Sequence, residues 1–84
     1  MTVHILKCDH ELFDMVWSGR VDGGFAVPDR GYQTDDTVKM CERKDGIETG
    51  RAYFCSVVRV WRGGDLPDRQ CLLSVKELLK TRDW

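Results

Sequence analysis

The residues best placed to do chemistry cluster near the N-terminus, where Cys8-Asp9-His10 follows His4. Sulfur and imidazole so close together suggest a metal site or an activated thiol. Zinc takes four ligands in a tetrahedron, commonly with paired Cys-x2–4-Cys units, and no such pair occurs in this sequence. No metal is therefore expected. A Cys–His nucleophile needs the thiol and imidazole within hydrogen-bonding reach and a third group to orient the base. Nothing in the sequence marks an oxyanion site, so His10 reads as a first-turn helix residue and Cys8 as a small core residue. Gly23-Gly24 and Gly63-Gly64 are isolated pairs that read as bends rather than a phosphate cradle. No catalytic residue and no cofactor are expected.

Binding offers more candidates. Lys7, Arg20, Arg30 and Arg51 each fall at the end of an expected element; converging, they would make an anion site with Tyr32 stacking on a base. Asp9, Glu11, Asp14 and Asp22 lie close in sequence and oppose a nucleic-acid backbone. The bland alternative is a scatter of solvated arginines. Asp29-Arg30-Gly31-Tyr32 has a structural reading too, with Asp29 capping turn amides, Gly31 in a conformation that bulky residues avoid, and Tyr32 anchoring the turn. The acidic turn Thr34-Asp35-Asp36, with Asp45 and Glu48, suits a basic protein partner. Trp61 and Tyr53, expected on the outward face of one long strand, and Trp84 at the last position are the aromatic candidates for a protein interface, alongside Asp35 and Asp36.

These residues sit in a chain of 84 residues, read as a single domain over 1–84. A domain of this size buries only about 60–65% of its potential surface and needs an efficient core or a partner. Three Trp, three Phe and two Tyr supply large side chains for either purpose. The net charge of −1 gives no global field to recruit nucleic acid or an anionic membrane. No apolar run approaches the roughly 20 residues that span a bilayer, and MTVHILKCDHE does not read as a signal peptide. The expected location is cytoplasmic. There Cys8, Cys41, Cys55 and Cys71 are expected as free thiols within apolar or strand-like stretches.

The elements follow from pattern. Val3–Leu6 reads as a strand, and Asp9 or His10 opens a helix in which Leu12, Met15 and Val16 recur at i, i+3, i+4 beside Phe13 and Trp17. Gly19 is its natural stop. Phe25–Val27 is a short strand, and Pro28 marks it as an edge. TVKMCER is a strand, with Val38 and Met40 opposite Lys39 and Cys41, and Asp45-Gly46 is a hairpin turn. Arg51–Trp61 carries apolar groups on both faces, which predicts cover on both sides. Cys71–Val75 is the last strand, and KELLKT a closing turn of helix. Five short strands and one early helix without long crossovers predict a mixed, β-rich α+β fold, a small barrel with the helix capping one opening.

The order HILK, Phe13, Gly19-Arg20, Asp29-Arg30-Gly31-Tyr32-Gln33, Asp36, Thr49-Gly50-Arg51, a long strand and LLSV resembles the small ASCH-like domains of the PUA-like superfamily, common in bacteria and phages. The resemblance runs from His4 to about Val75. It implies a small PUA-like β-barrel, usually linked to RNA recognition; some relatives hydrolyse an acylated cytidine nucleoside. The signature of that family, Gly-x-Lys-x-x-Glu-x-Arg, falls on Gly19 with Val21, Gly24 and Ala26 at its charged positions. The cleft is thus expected to be lined by neutral groups. The sequence therefore points to a non-enzymatic interaction module, of a phage or mobile element, that binds and modulates a host protein or nucleoprotein complex in the host cytoplasm. Binding of RNA or single-stranded nucleic acid, and hydrolysis of a modified nucleoside, are the alternatives. A membrane partner is not expected, and oligomeric state stays open.

Overall fold

Successive side chains of a strand point to opposite faces, which gives the sheet one buried and one open face. The computed structural model describes residues 2–20 and 24–82. In chain order its elements are β1 (Val3–Asp9), α1 (His10–Trp17), β2 (Phe25–Pro28), β3 (Thr37–Lys44), β4 (Ile47–Arg62) and β5 (Gln70–Arg82). The strands form one sheet in the order β1-β3-β4-β5-β2. It curls through 233° into an open half-barrel, with α1 near the opening.

The inner face is the core. Leu6 and Cys8 from β1, Val38 and Met40 from β3, Cys55 and Val57 from β4, and Cys71 and Leu73 from β5 point inward and are buried. Phe13 and Val16 press α1 onto them. The helix has only eight residues, too few to be stable alone, so it depends on this packing. Asp9 stands at its N-cap without a capping side-chain bond. At the other end the Gly19 N–H donates to the Val16 carbonyl and the Arg20 N–H to the Met15 carbonyl, with Gly19 at φ +74°. That is the Schellman ending that a glycine permits. Asp45 and Gly46 both take positive φ between Lys44 and Ile47, as a two-residue hairpin turn requires.

Three expectations need correction. β1 pairs with β3 in parallel, so a long crossover is present; residues 10–36, with α1 and β2, make it. KELLKT is not helical, because it continues β5 and pairs with Ala52–Ser56 on β4. Leu, Lys and Glu favour helix in isolation, but an unpaired stretch of β4 offers a ladder, and tertiary pairing wins. β4 is covered on one side only: Tyr53 faces the core at 5% exposure, whereas Val58 on the opposite face is 51% exposed. All four cysteines are free thiols, and burial pushes those of Cys8 and Cys55 up to about 12.

Gly24 immediately precedes the edge strand β2, where a side chain has no room. It has φ +107°, and a Cβ there would sit 2.5 Å from the Leu73 carbonyl oxygen. No side chain, least of all a glutamate, fits without pushing β2 off β5. Gly24→Ala is expected to cost more than about 1 kcal/mol and to lower the thermal midpoint by several degrees. An unchanged melting curve would show that the close approach is not as drawn.

Candidate functional site

The densest cluster of ionisable groups surrounds Arg51 on β4. Its Nη2 donates to Asp14 Oδ1 at 2.6 Å, its Nε donates to Glu42 Oε1 at 2.8 Å, and Nη2 also meets Glu42 Oε2. The guanidinium carbon lies 5.1 Å from the Phe13 ring centroid and 5.0 Å from that of Trp17. One cation thus joins β3, β4 and α1. Thr49 Oγ1 donates to Glu42 as well. The Arg51 bonds, with help from Thr49, hold the Glu42 carboxyl below its ordinary range despite burial. It stays anionic near neutrality and has no proton to give. Lys80 and Arg82 also lie over the Trp17 ring, at 5.3 and 5.7 Å. The helix end is therefore not neutral as the signature positions suggested; β4 and β5 supply cations that the motif does not. Lys80 lies 3.5 Å from Glu77.

A second cluster locks the chain start to the turn before β3. Asp36 is buried and accepts from the backbone N–H groups of Thr2 and Gln33, both at 3.0 Å, while its Oδ2 lies 2.9 Å from His4 Nε2. The Thr2 and His4 bonds, chiefly, hold its carboxyl at about 2. Tyr32 packs on His4 with ring centroids 4.5 Å apart, and its buried hydroxyl has no hydrogen-bond partner among the described residues.

The third cluster is the Asp29–Tyr32 segment. Arg62 forks onto the two carboxylate oxygens of Asp29, at 2.5 and 3.1 Å, and donates to the Tyr32 carbonyl at 2.7 Å. Asp29 also accepts from the Gly31 N–H at 2.9 Å. Arg62 is the largest cause of the lowered Asp29 pKa. These residues brace a turn.

The four cations expected to make an anion site are distributed rather than gathered. Lys7 lies on the outer face of β1, 3.8 Å from Glu48, and Arg51 on the inner face of β4. Arg20 Nε donates to Ser18 Oγ at 2.8 Å, and Arg30 Nη1 to the Ile5 carbonyl at 3.0 Å. Tyr32 is fully buried and presents no ring to stack on a base. Of the interface candidates, Trp61 is 38% exposed with Arg59 over its ring, and Asp35 is exposed. Asp36 and Tyr53 are buried, so neither offers surface. Trp84 and Val21 lie outside the described residues.

Sequence reasoning missed the outer face of the sheet. Ile5, Lys39, Phe54 and Leu79 are register partners in turn across β1, β3, β4 and β5. Val3, Ile5, Val58 and Leu79 are each more than half exposed there. A shallow cavity of about 380 Å3 opens among Lys39, Cys41, Phe54 and Leu79. The clue was Val3 and Ile5, out of phase with Leu6 and Cys8 on β1. Among the described residues no three His, Cys, Asp or Glu side chains gather to hold a metal, and no helix is long and apolar enough to cross a membrane.

Residues 3–75 match the family described as Domain of unknown function (DUF3850), and the chain belongs to that family. No curated protein matches the chain.

The lowered Asp36 and Glu42 pKa values fix how stability depends on acid. A carboxylate whose folded pKa lies below its unfolded value stabilises fully above the unfolded value, and that contribution is lost as pH falls through the folded one. For Asp36 the window runs from 3.8 down to about 2. Asp36→Asn is expected to lower the thermal midpoint at neutral pH and to flatten the loss of stability on acidification. If the variant's pH profile parallels the parent's, the Asp36 bonds do not stabilise the fold.

Proposed function

We propose that this DUF3850 domain is a non-enzymatic interaction module on a PUA-like half-barrel, of the ASCH-like kind, that docks onto a host protein or nucleoprotein through the outer face of its sheet. One observation carries the reading: exposed apolar side chains of β1, β4 and β5 share the outer face, with Lys39 of β3 standing between Ile5 and Phe54. Contiguous apolar surface of this sort marks interaction sites more often than chance exposure. The lysines beside it say what the partner offers. Lys39 and Lys76 share this face with Ile5, Phe54 and Val58, while Lys7 already lies beside Glu48, so a partner with an apolar centre and carboxylates opposite these two lysines is the complement. The charges on the inner side support the same reading, because Arg51, Glu42, Asp36 and Arg62 spend their hydrogen bonds on the fold. A hydrolase would want one of them poised for proton transfer.

A second reading has its own observation. Lys80 and Arg82 beside Trp17 resemble the mix of cations and aromatic surface that single-stranded nucleic acid uses. Binding there would weaken steeply with salt as counterions are released, and would fall on Lys80→Gln.

Ile5→Glu and Val58→Glu place like-charged groups at the row without touching the core, as both residues are more than half exposed. Affinity capture from a bacterial lysate with the parent and with the double variant tests the reading. A stoichiometric acidic protein recovered by the parent and lost at least tenfold by the variant is the expected result. Equal recovery by both, or recovery of RNA alone, would contradict it.

A further inference from the structure

β1 and β2 are the two edges of the sheet, and its curl stops before they meet. Between them lies a slot of about 270 Å3 with walls from Leu6, Leu12, Ala26 and Val27. Lys7 and Arg43 are its cations and Asp9 its one acid. Two features of this slot are unsatisfied. Arg43 lines the slot, and its buried Nε has no hydrogen-bond partner among the described residues; a buried donor left without an acceptor is costly. β1 is an edge strand paired only with β3 among the described residues, so its other side faces the gap. Arg30 reaches the Ile5 carbonyl there, and the two-residue period of a strand turns the Lys7 N–H and C=O to the same side.

We infer that this slot binds an extended peptide segment of a partner protein, which pairs its backbone with the free edge of β1 at Lys7 and places a single carboxylate on Arg43. Strand addition to an open edge is a general route to peptide recognition, with the backbone supplying affinity and alternate side chains supplying choice. The apolar walls take a Val-, Ile- or Leu-sized side chain beside the carboxylate. Asp9 in the same lining disfavours a segment with several acids. A nucleic acid fits less well, because no aromatic ring lines the slot. Its repeat does not match a strand edge either. This site borders the outer face at Lys7, but its apolar walls lie in the gap between the sheet edges, and its occupancy does not depend on that reading.

Selection from a pool of random seven-residue peptides on the immobilised full-length domain, followed by fluorescence anisotropy of the enriched sequences, tests the inference. The expected peptides carry one Asp or Glu flanked by Val, Ile or Leu. Their affinity should fall at least tenfold in Arg43→Gln and again in Ala26→Trp, which fills the slot from an exposed position. Val58→Glu, on β4 in the outer face, should leave it unchanged, which separates this site from the other. Thermal melts of Arg43→Gln should match the parent, since the Nε it removes has no partner to lose. No enrichment overturns the inference, as do peptides without an acid, hits insensitive to both slot variants, or equal binding of a uridine decamer or of valerate.

Discussion

The architecture depends on the guanidinium of Arg51. An eight-residue helix has little stability of its own, and its N-cap Asp9 contributes no side-chain bond. Arg51 fastens that helix to the sheet by charge to Asp14, by charge to Glu42 on β3, and by stacking on Phe13 and Trp17. Arginine suits the place as lysine would not, because its planar fork meets carboxylates side-on while its faces lie against rings. Removing the cation would strand Glu42, 4% exposed, without its counter-charge.

The same economy appears at Asp36 and Arg62. Each clamps a loop to a strand, so charge that could have served chemistry serves instead to hold long connections in a small domain. On the proposed reading, the outer sheet face and the gap between the edges are left for outside contacts. An open half-barrel must also guard its edges against indiscriminate pairing. Pro28 ends β2 and removes one donor, and Arg30 occupies one β1 carbonyl. Protection is partial, and the unprotected part coincides with the apolar slot.

Local signals in the sequence were legible. Asp45-Gly46, Gly19 and Pro28 each specify a turn, a helix end or an edge by their own backbone chemistry, and each sits where that chemistry places it. The helix was legible too, although its buried stripe runs through Phe13 and Val16 rather than Met15, which is 45% exposed. What the sequence hid is non-local. The parallel pairing of β1 with β3 spans the whole crossover, and the extension of β5 follows from an available partner rather than from KELLKT. Arg51 meets Asp14 across 37 positions. The stacking role read for Tyr32 failed because a turn residue next to Gly31 turned inward onto His4. No period or motif carries such contacts, whereas the alternation in β1 did carry the outer apolar row.

The most direct measurement is a double-mutant cycle on Arg51 and Glu42, using Arg51→Met, Glu42→Leu and the pair, followed by thermal unfolding. The account predicts a strong coupling, on the order of 1–3 kcal/mol, with the double variant recovering much of what either single change loses. Additive losses would contradict it, since Arg51 would then stabilise the fold without Glu42, and the inner charges would be available for other work.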